Sequence, residues 1–266
     1  MPQRTKTLST FDYILGLIVI FGGVYSQYFI HGFGVFPQLI LVYGIPVLAV
    51  SWLLGRKIGR RAFHNTGKGM EYGMAYFGIF VVLSYLATVF LISLFSQADP
   101  GALIPLNKAL PFNEISPGLA WIMVAVSMIL IGPAEEYLFR GFVFGGLLRI
   151  FQGRHWIALA LVSSVLFALA HAYYLIIFGL ASVIFFLDIV AVGMALAFAY
   201  YFSRGNLVAP ALLHGFFDAT AFLNVATGSN IGLLLRLLLI IFGLLLAFYL
   251  AARYLLSSTG NTQAKQ

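Results

Sequence analysis

"LAWIMVAVSMILIGPAEEYLFRG" (residues 119–141) opens as an unbroken apolar run and then places Glu135, Glu136 and Arg140 directly behind it. An ionisable side chain at membrane depth costs about 2.5–3.5 kcal/mol on insertion scales, so such groups face a cavity or a partner and mark function by default. The stretch is therefore read twice, as a membrane helix and as one wall of a site. Glu136 and Arg140 stand four apart, acid first, which is the favourable order for an ion pair on one helix face.

The rest of the chain has the same character. Of 266 residues, 62% are hydrophobic and 9% charged, against roughly 25% charged in soluble domains. Segments able to cross ~30 Å of hydrocarbon at 1.5 Å per residue occur at about 11–30, 35–54, 74–95, 118–139, 156–173, 175–202, 207–226 and 230–256. The expectation is an all-α polytopic bundle of about eight transmembrane helices, a single integral-membrane domain over residues 1–266. Its polar motifs are confined to a core at 118–226. The first apolar run lacks a small-x-small cleavage site and is read as an uncleaved helix.

The net charge of +7 follows topology and not nucleic acid, because the bases cluster in short loops beside apolar runs. Arg4, Lys6, Arg56, Lys57, Arg60, Arg61, Lys68, Arg140, Arg149, Arg154, Arg204, Arg253 and Lys265 fall on one side of the expected topology. Only Lys108 and Arg236 fall on the other. This asymmetry predicts N-in and C-in. The outer loop "SQADPGALIPLNKALPFNEISPG" is rich in turn residues and carries Asp99 and Glu114. The lack of a soluble module and the short loops point to a multi-pass protein of a prokaryotic cell membrane, with lipid as its surroundings.

Eight acids and five histidines are present, with no cysteine, which excludes thiolate chemistry and Cys-ligated metal. Asp12, Glu71, Asp99 and Glu114 sit at helix ends or in loops, and His31, His64 and His155 at boundaries. Glu135, Glu136, Asp188, His171, Asp218 and His214 lie in or beside apolar stretches. Three patterns hold all of these but Asp188: "EEYLFR", then "FALAH" with Phe167 and His171 four apart, then "HGFFD" with His214 and Asp218 four apart. Glu135 and His171 lie equally far from a turn near Gly153. An unbroken fourth helix would bring them to similar depth; an interfacial segment "RGFVFGGLLRIFQG" would not.

A carboxylate beside an imidazole in a water-poor pocket can act as general base on water. His214 and Asp218 can then stabilise an oxyanion. Alternatively, Glu135, His171 and His214 can ligate a divalent metal such as zinc that polarises the water. Either route hydrolyses a peptide bond without a serine or cysteine nucleophile. No HExxH is present, so the site is not of the zincin type.

The three motifs in order resemble those of the CPBP intramembrane proteases, which include type II CAAX prenyl endopeptidases and bacteriocin-processing and immunity proteins. Their pattern is EExxxR, FxxxH and HxxxN or a variant. By that resemblance Glu135 and His171 activate the water, His214 and the residue at Asp218 stabilise the oxyanion, and Glu136 and Arg140 support them. It also implies a peptide or prenylated-protein substrate. Asparagine is commoner at the Asp218 position. An ionised aspartate cannot donate to an oxyanion, so it can instead orient His214, carry a proton or touch a metal.

Blander readings stand beside these. Glu136–Arg140 can be a structural ion pair alone, and Phe167 packs against the site. Asp188 either pairs with Arg236 or lines the cavity. The competing functions are a proton-linked transporter, disfavoured by the lack of paired halves, and a non-catalytic immunity or scaffold protein.

Overall fold

Each apolar segment can satisfy its own backbone only as a helix, since lipid offers no hydrogen bonds. The computed structural model obeys this throughout the residues it describes, which are 9–26, 35–54, 65–98, 116–172 and 182–263. Among them are eight helical rods: α1 (Thr10–Ser26), α2 (residues 35–53), α3 (Thr66–Ala98), α4 (Pro117–Ile150), α5 (Trp156–Ala170), α6 (Ser182–Phe202), α7 (Val208–Thr227) and α8 (Ile231–Gln263). Five of them, α3, α4, α6, α7 and α8, are long and apolar enough to cross a membrane; α1, α2 and α5 are shorter. The expected outer loop with Asp99, Lys108 and Glu114 lies outside the described residues. So do His31, His64, Arg4, Lys6, Arg56, Lys57, Arg60, Arg61 and Lys265, whereas Lys68, expected in the same loop, lies in the first turn of α3.

Burial separates the centre from the rim. Half of the most apolar window of α6 is buried, against 17% of that of α8. The α6 helix packs against α3 on one side and α5 on the other. The α8 helix lies on α3 and α7 and turns Leu238, Ile241, Leu245 and Phe248 outward, as a lipid-facing helix does.

The fourth helix corrects the sequence expectation. Its apolar run was expected to end at 139, with Arg140 among the loop bases, yet the helix continues to Ile150 and residues 141–147 are buried. Arg140 is 1% exposed. The physical reason is internal neutralisation: Glu136 pairs with it inside the bundle, so a charge that would end a lipid-facing helix does not end this one. The unbroken alternative holds, and the interfacial one does not.

Two π-helical segments, Ser127–Ile131 and Tyr137–Phe144, flank Gly132–Glu136. The first closes with the Gly132 N–H donating to the Ser127 carbonyl, five residues back. Pro133 follows without an N–H to continue the regular ladder. Such single-turn widenings recur at functional sites; here they bracket the two glutamates.

Where α4 crosses α7, glycine meets glycine. A Cβ on Gly132 would lie 2.7 Å from the Gly215 amide nitrogen and 2.8 Å from its Cα, and one on Gly215 would lie 2.8 Å from the Ser127 carbonyl oxygen. Small residues let membrane helices approach this closely. His214 and Glu136 become neighbours because Gly215, next to His214, and Gly132, one turn before Glu136, have no side chains to hold the helices apart. Gly215→Ala is expected to lower stability by about 1–3 kcal/mol, seen as a reduced Tm in detergent. Gly22→Ala, where a Cβ meets nothing within 4 Å, is expected to leave Tm unchanged or raised.

Candidate active site

Four helices deliver polar groups to one place. The middle of α4 supplies Glu135 and Glu136, the end of α5 supplies Phe167 and His171, α7 supplies His214 and Asp218, and α2 supplies Tyr43. Glu135, His171, His214 and Asp218 line a single cavity of about 560 Å³. Its remaining walls are largely apolar, including Leu39, Val42, Ile131, Phe185, Ile189 and Phe222.

Behind the cavity wall lies a buried polar knot, in which Glu136 Oε2 and Arg140 Nε make no hydrogen bond among the described residues. Arg140 Nη1 donates to Glu136 Oε1 at 2.6 Å, and Arg140 Nη2 donates to the Gly193 carbonyl of α6 at 3.1 Å. The guanidinium carbon stands 4.4 Å from the centre of the Phe167 ring, a cation–π contact. His214 Nδ1 stands 2.7 Å from the same Glu136 oxygen. A carboxylate oxygen accepts, so Nδ1 carries the proton. Glu136 is fully buried and has no direct part in the cavity wall. Its two cationic or N–H partners reach it from one residue of its own helix and one of α7.

The knot aims His214. With Nδ1 committed to Glu136, Nε2 points between two other carboxylates, 3.5 Å from Glu135 Oε2 and 3.4 Å from Asp218 Oδ2. Both are long for a strong hydrogen bond. Phe167 packs edge-on against the rings of His214, His171 and Phe139, at 5.5, 4.8 and 5.0 Å between centroids. It thus serves as a shared apolar wall for the cation and both imidazoles.

Glu135 is held by one oxygen only. Tyr43 donates its phenolic proton to Oε1 at 2.8 Å, whereas Oε2 is buried and makes no hydrogen bond among the described residues. His171 caps the end of α5, one residue past the helix, and not within it as the apolar pattern implied. Its Nδ1 lies 2.9 Å from the Phe167 carbonyl. A carbonyl can only accept, which fixes the proton on Nδ1 and leaves Nε2 as the acceptor of the neutral ring.

Asp188 resolves as a cavity-lining residue that accepts from Ser84 at 3.2 Å. It forms no ion pair with Arg236 among the described residues; Arg236 instead binds Thr220 Oγ1 and the Phe217 carbonyl. Tyr43 and Gly193 had no sequence signal. Tyr43 is one of 14 tyrosines, outside any motif, and Gly193 acts through its backbone.

Among the described residues no group of three His, Asp or Glu side chains could hold a metal ion.

Residues 117–220 match the family model described as Type II CAAX prenyl endopeptidase Rce1-like. This stretch is a domain of that family. It spans α4 through the first two-thirds of α7, and so includes every residue of the three motifs. The match supports a CAAX-type intramembrane protease as the general class, carried by a multi-pass helical bundle. No curated protein and no solved structure matches the chain.

Removing one partner of a buried pair strands the other as an uncompensated charge, at about 3–5 kcal/mol. Arg140→Ala is therefore expected to unfold at markedly lower denaturant, and Arg140→Ala combined with Glu136→Gln at less cost than Arg140→Ala alone. Equilibrium unfolding in detergent measures both.

Proposed function

We propose that the protein is a metal-independent, glutamate-dependent endopeptidase that cleaves a prenylated or otherwise lipophilic C-terminal peptide. The observation that carries this is a buried carboxylate oxygen, Glu135 Oε2, with no hydrogen bond among the described residues, on a cavity that His171 and His214 also line. A water between Glu135 and His171 would give its proton to the Glu135 carboxylate. His171 Nε2, the acceptor nitrogen of that tautomer, would orient the same water. The water oxygen adds to the scissile carbonyl carbon, and negative charge moves to the carbonyl oxygen.

His214 Nε2, protonated, is the donor for that oxyanion. Asp218, 3.4 Å away, holds the imidazolium; being a carboxylate, it does not donate. When the tetrahedral species collapses, the C–N bond breaks and the proton held on Glu135 passes to the departing amine. Tyr43, by occupying Oε1, turns Oε2 toward the water. Glu136 and Arg140 act one step removed, as positioning residues for His214.

The apolar walls favour a substrate with a long hydrocarbon group, whose burial contributes about 0.8 kcal/mol per CH₂. A prenylated cysteine next to the scissile bond has that chemistry, and a bacteriocin-type leader peptide does not. The expected sidedness, N-in and C-in within a prokaryotic cell membrane, is part of the same proposal and is tested by cysteine accessibility on both faces.

Purified protein assayed with prenylated CAAX peptides, their unprenylated forms and leader-type peptides is expected to cleave the prenylated set. Glu135→Gln and His171→Ala are expected to lower kcat about 10²–10⁴-fold with Tm retained. Tyr43→Phe is expected to lower it by about tenfold, the worth of one hydrogen bond. Activity is expected to survive chelation. Loss of activity in chelator, restored by zinc, would instead support ligation by Glu135, His171 and His214. Wild-type cleavage by Glu135→Gln would leave an immunity, scaffold or transport role.

A further inference from the structure

A second cavity, of about 630 Å³, lies at the end of the bundle where α3 begins and α4 and α6 end. Arg149, which lines it, is fourteen residues beyond Glu135 on the same helix, or about 21 Å at 1.5 Å per residue. It is therefore remote from the catalytic cavity and shares no lining residue with it.

Three cations line this space: Lys68 from the first turn of α3, Arg149 from the last turn of α4 and Arg204 just after α6. All four ion pairs among the described residues belong to the active-site cluster. None of the three cations therefore has a carboxylate partner there; Glu71, one turn beyond Lys68, does not pair with it. Like charges gathered around a concavity without a counter-charge create a positive potential that an anion would relieve.

The cavity is also shaped. Gly145 forms part of its floor, where an added Cβ would lie 2.9 Å from the Tyr200 hydroxyl and 3.6 Å from an Arg149 guanidinium nitrogen. The absence of that side chain leaves the hydroxyl and the guanidinium on one open surface. The Tyr200 hydroxyl makes no hydrogen bond among the described residues. Arg204 is held at φ 59° and Gly205 at φ 88°, with their amides donating to the carbonyls of Tyr201 and Tyr200. This left-handed turn ends α6 and fixes Arg204 at the cavity wall. Left-handed backbone is disfavoured for a residue with a Cβ, so the turn holds a cation where a glycine or asparagine would be cheaper. Tyr72, Tyr201 and Phe202 also line it, with the amphipathic aromatic character of a headgroup-level belt.

We infer that this cavity binds a phosphate-type anion, with Lys68, Arg149 and Arg204 as its cationic contacts and Tyr200 as a hydroxyl donor. Guanidinium groups match phosphate oxygens in a two-pronged fashion, and basic pockets between membrane helices take anionic headgroups. The two sources of that chemistry are the headgroup of an anionic phospholipid and free inorganic phosphate.

The test uses the full chain in nonionic detergent. Native mass spectrometry would measure binding of phosphatidylglycerol and of phosphatidylcholine, and thermal shift would measure binding of inorganic phosphate alone. Variants are Arg149→Gln, Arg204→Gln and their combination, all at exposed positions outside the catalytic machinery. Preferential binding of phosphatidylglycerol, weakened about tenfold by each single substitution, supports the site and assigns it to lipid. Stabilisation by phosphate alone, lost in the double variant, supports it and assigns the free ion. Equal binding of both probes by wild type and double variant, with Tm unchanged, overturns it. A double variant that fails to fold leaves the two single variants to decide by the same criteria.

Discussion

The Glu136–Arg140–His214 knot is the interaction on which the catalytic end of the molecule depends. An arginine buried to 1% exposure in a bundle surrounded by lipid is tolerable only when its charge is answered, because desolvating an ion costs several kcal/mol even after relaxation. Here it is answered from three directions: the Glu136 carboxylate of α4, the Gly193 carbonyl of α6 and the Phe167 face of α5. One side chain thus ties three helices. The fourth, α7, joins through His214 on the same Glu136 oxygen. The knot contributes specificity of arrangement more than net stability, since buried ion pairs roughly break even against apolar packing.

That arrangement explains the division between adjacent glutamates. Glu136 is saturated at Oε1 and sealed from the cavity, so its work is to fix the tautomer and direction of His214. Glu135, one residue earlier and rotated about 100° around the helix, reaches the cavity with Oε2 unengaged by hydrogen bonds among the described residues. The Gly132–Gly215 contact sets the distance across to α7. Alanine at the crossing would keep the same residues but push the two helices apart.

How much of this was legible beforehand depended on the kind of signal. Composition alone implied a helical membrane bundle, because backbone in lipid has few solutions. The three i,i+4 patterns were legible because charge is so scarce here that each ionisable residue stands out. Arg140 was legible both as a topology base and as the partner of Glu136, since a positive charge looks alike in a loop and in a buried pair. The same ambiguity left open whether α4 ends at 139 or runs on unbroken. Tyr43 could not be seen: one tyrosine among many, far away in the chain, acquires meaning only when α2 folds against α4. Asp188 was left between pairing with Arg236 and lining the cavity; it lines the cavity, with Ser84 as its hydrogen-bond donor.

The central claim is that water, activated by Glu135, attacks the substrate directly, with no covalent bond to the protein. Single-turnover cleavage in H₂¹⁸O, with mass spectrometry of product and enzyme, tests it most directly. Direct attack puts one ¹⁸O into the new carboxylate of the product and none into the protein. An ¹⁸O found in the Glu135 carboxylate, with an unlabelled first-turnover product, would mean that the glutamate itself was the nucleophile and would contradict the account.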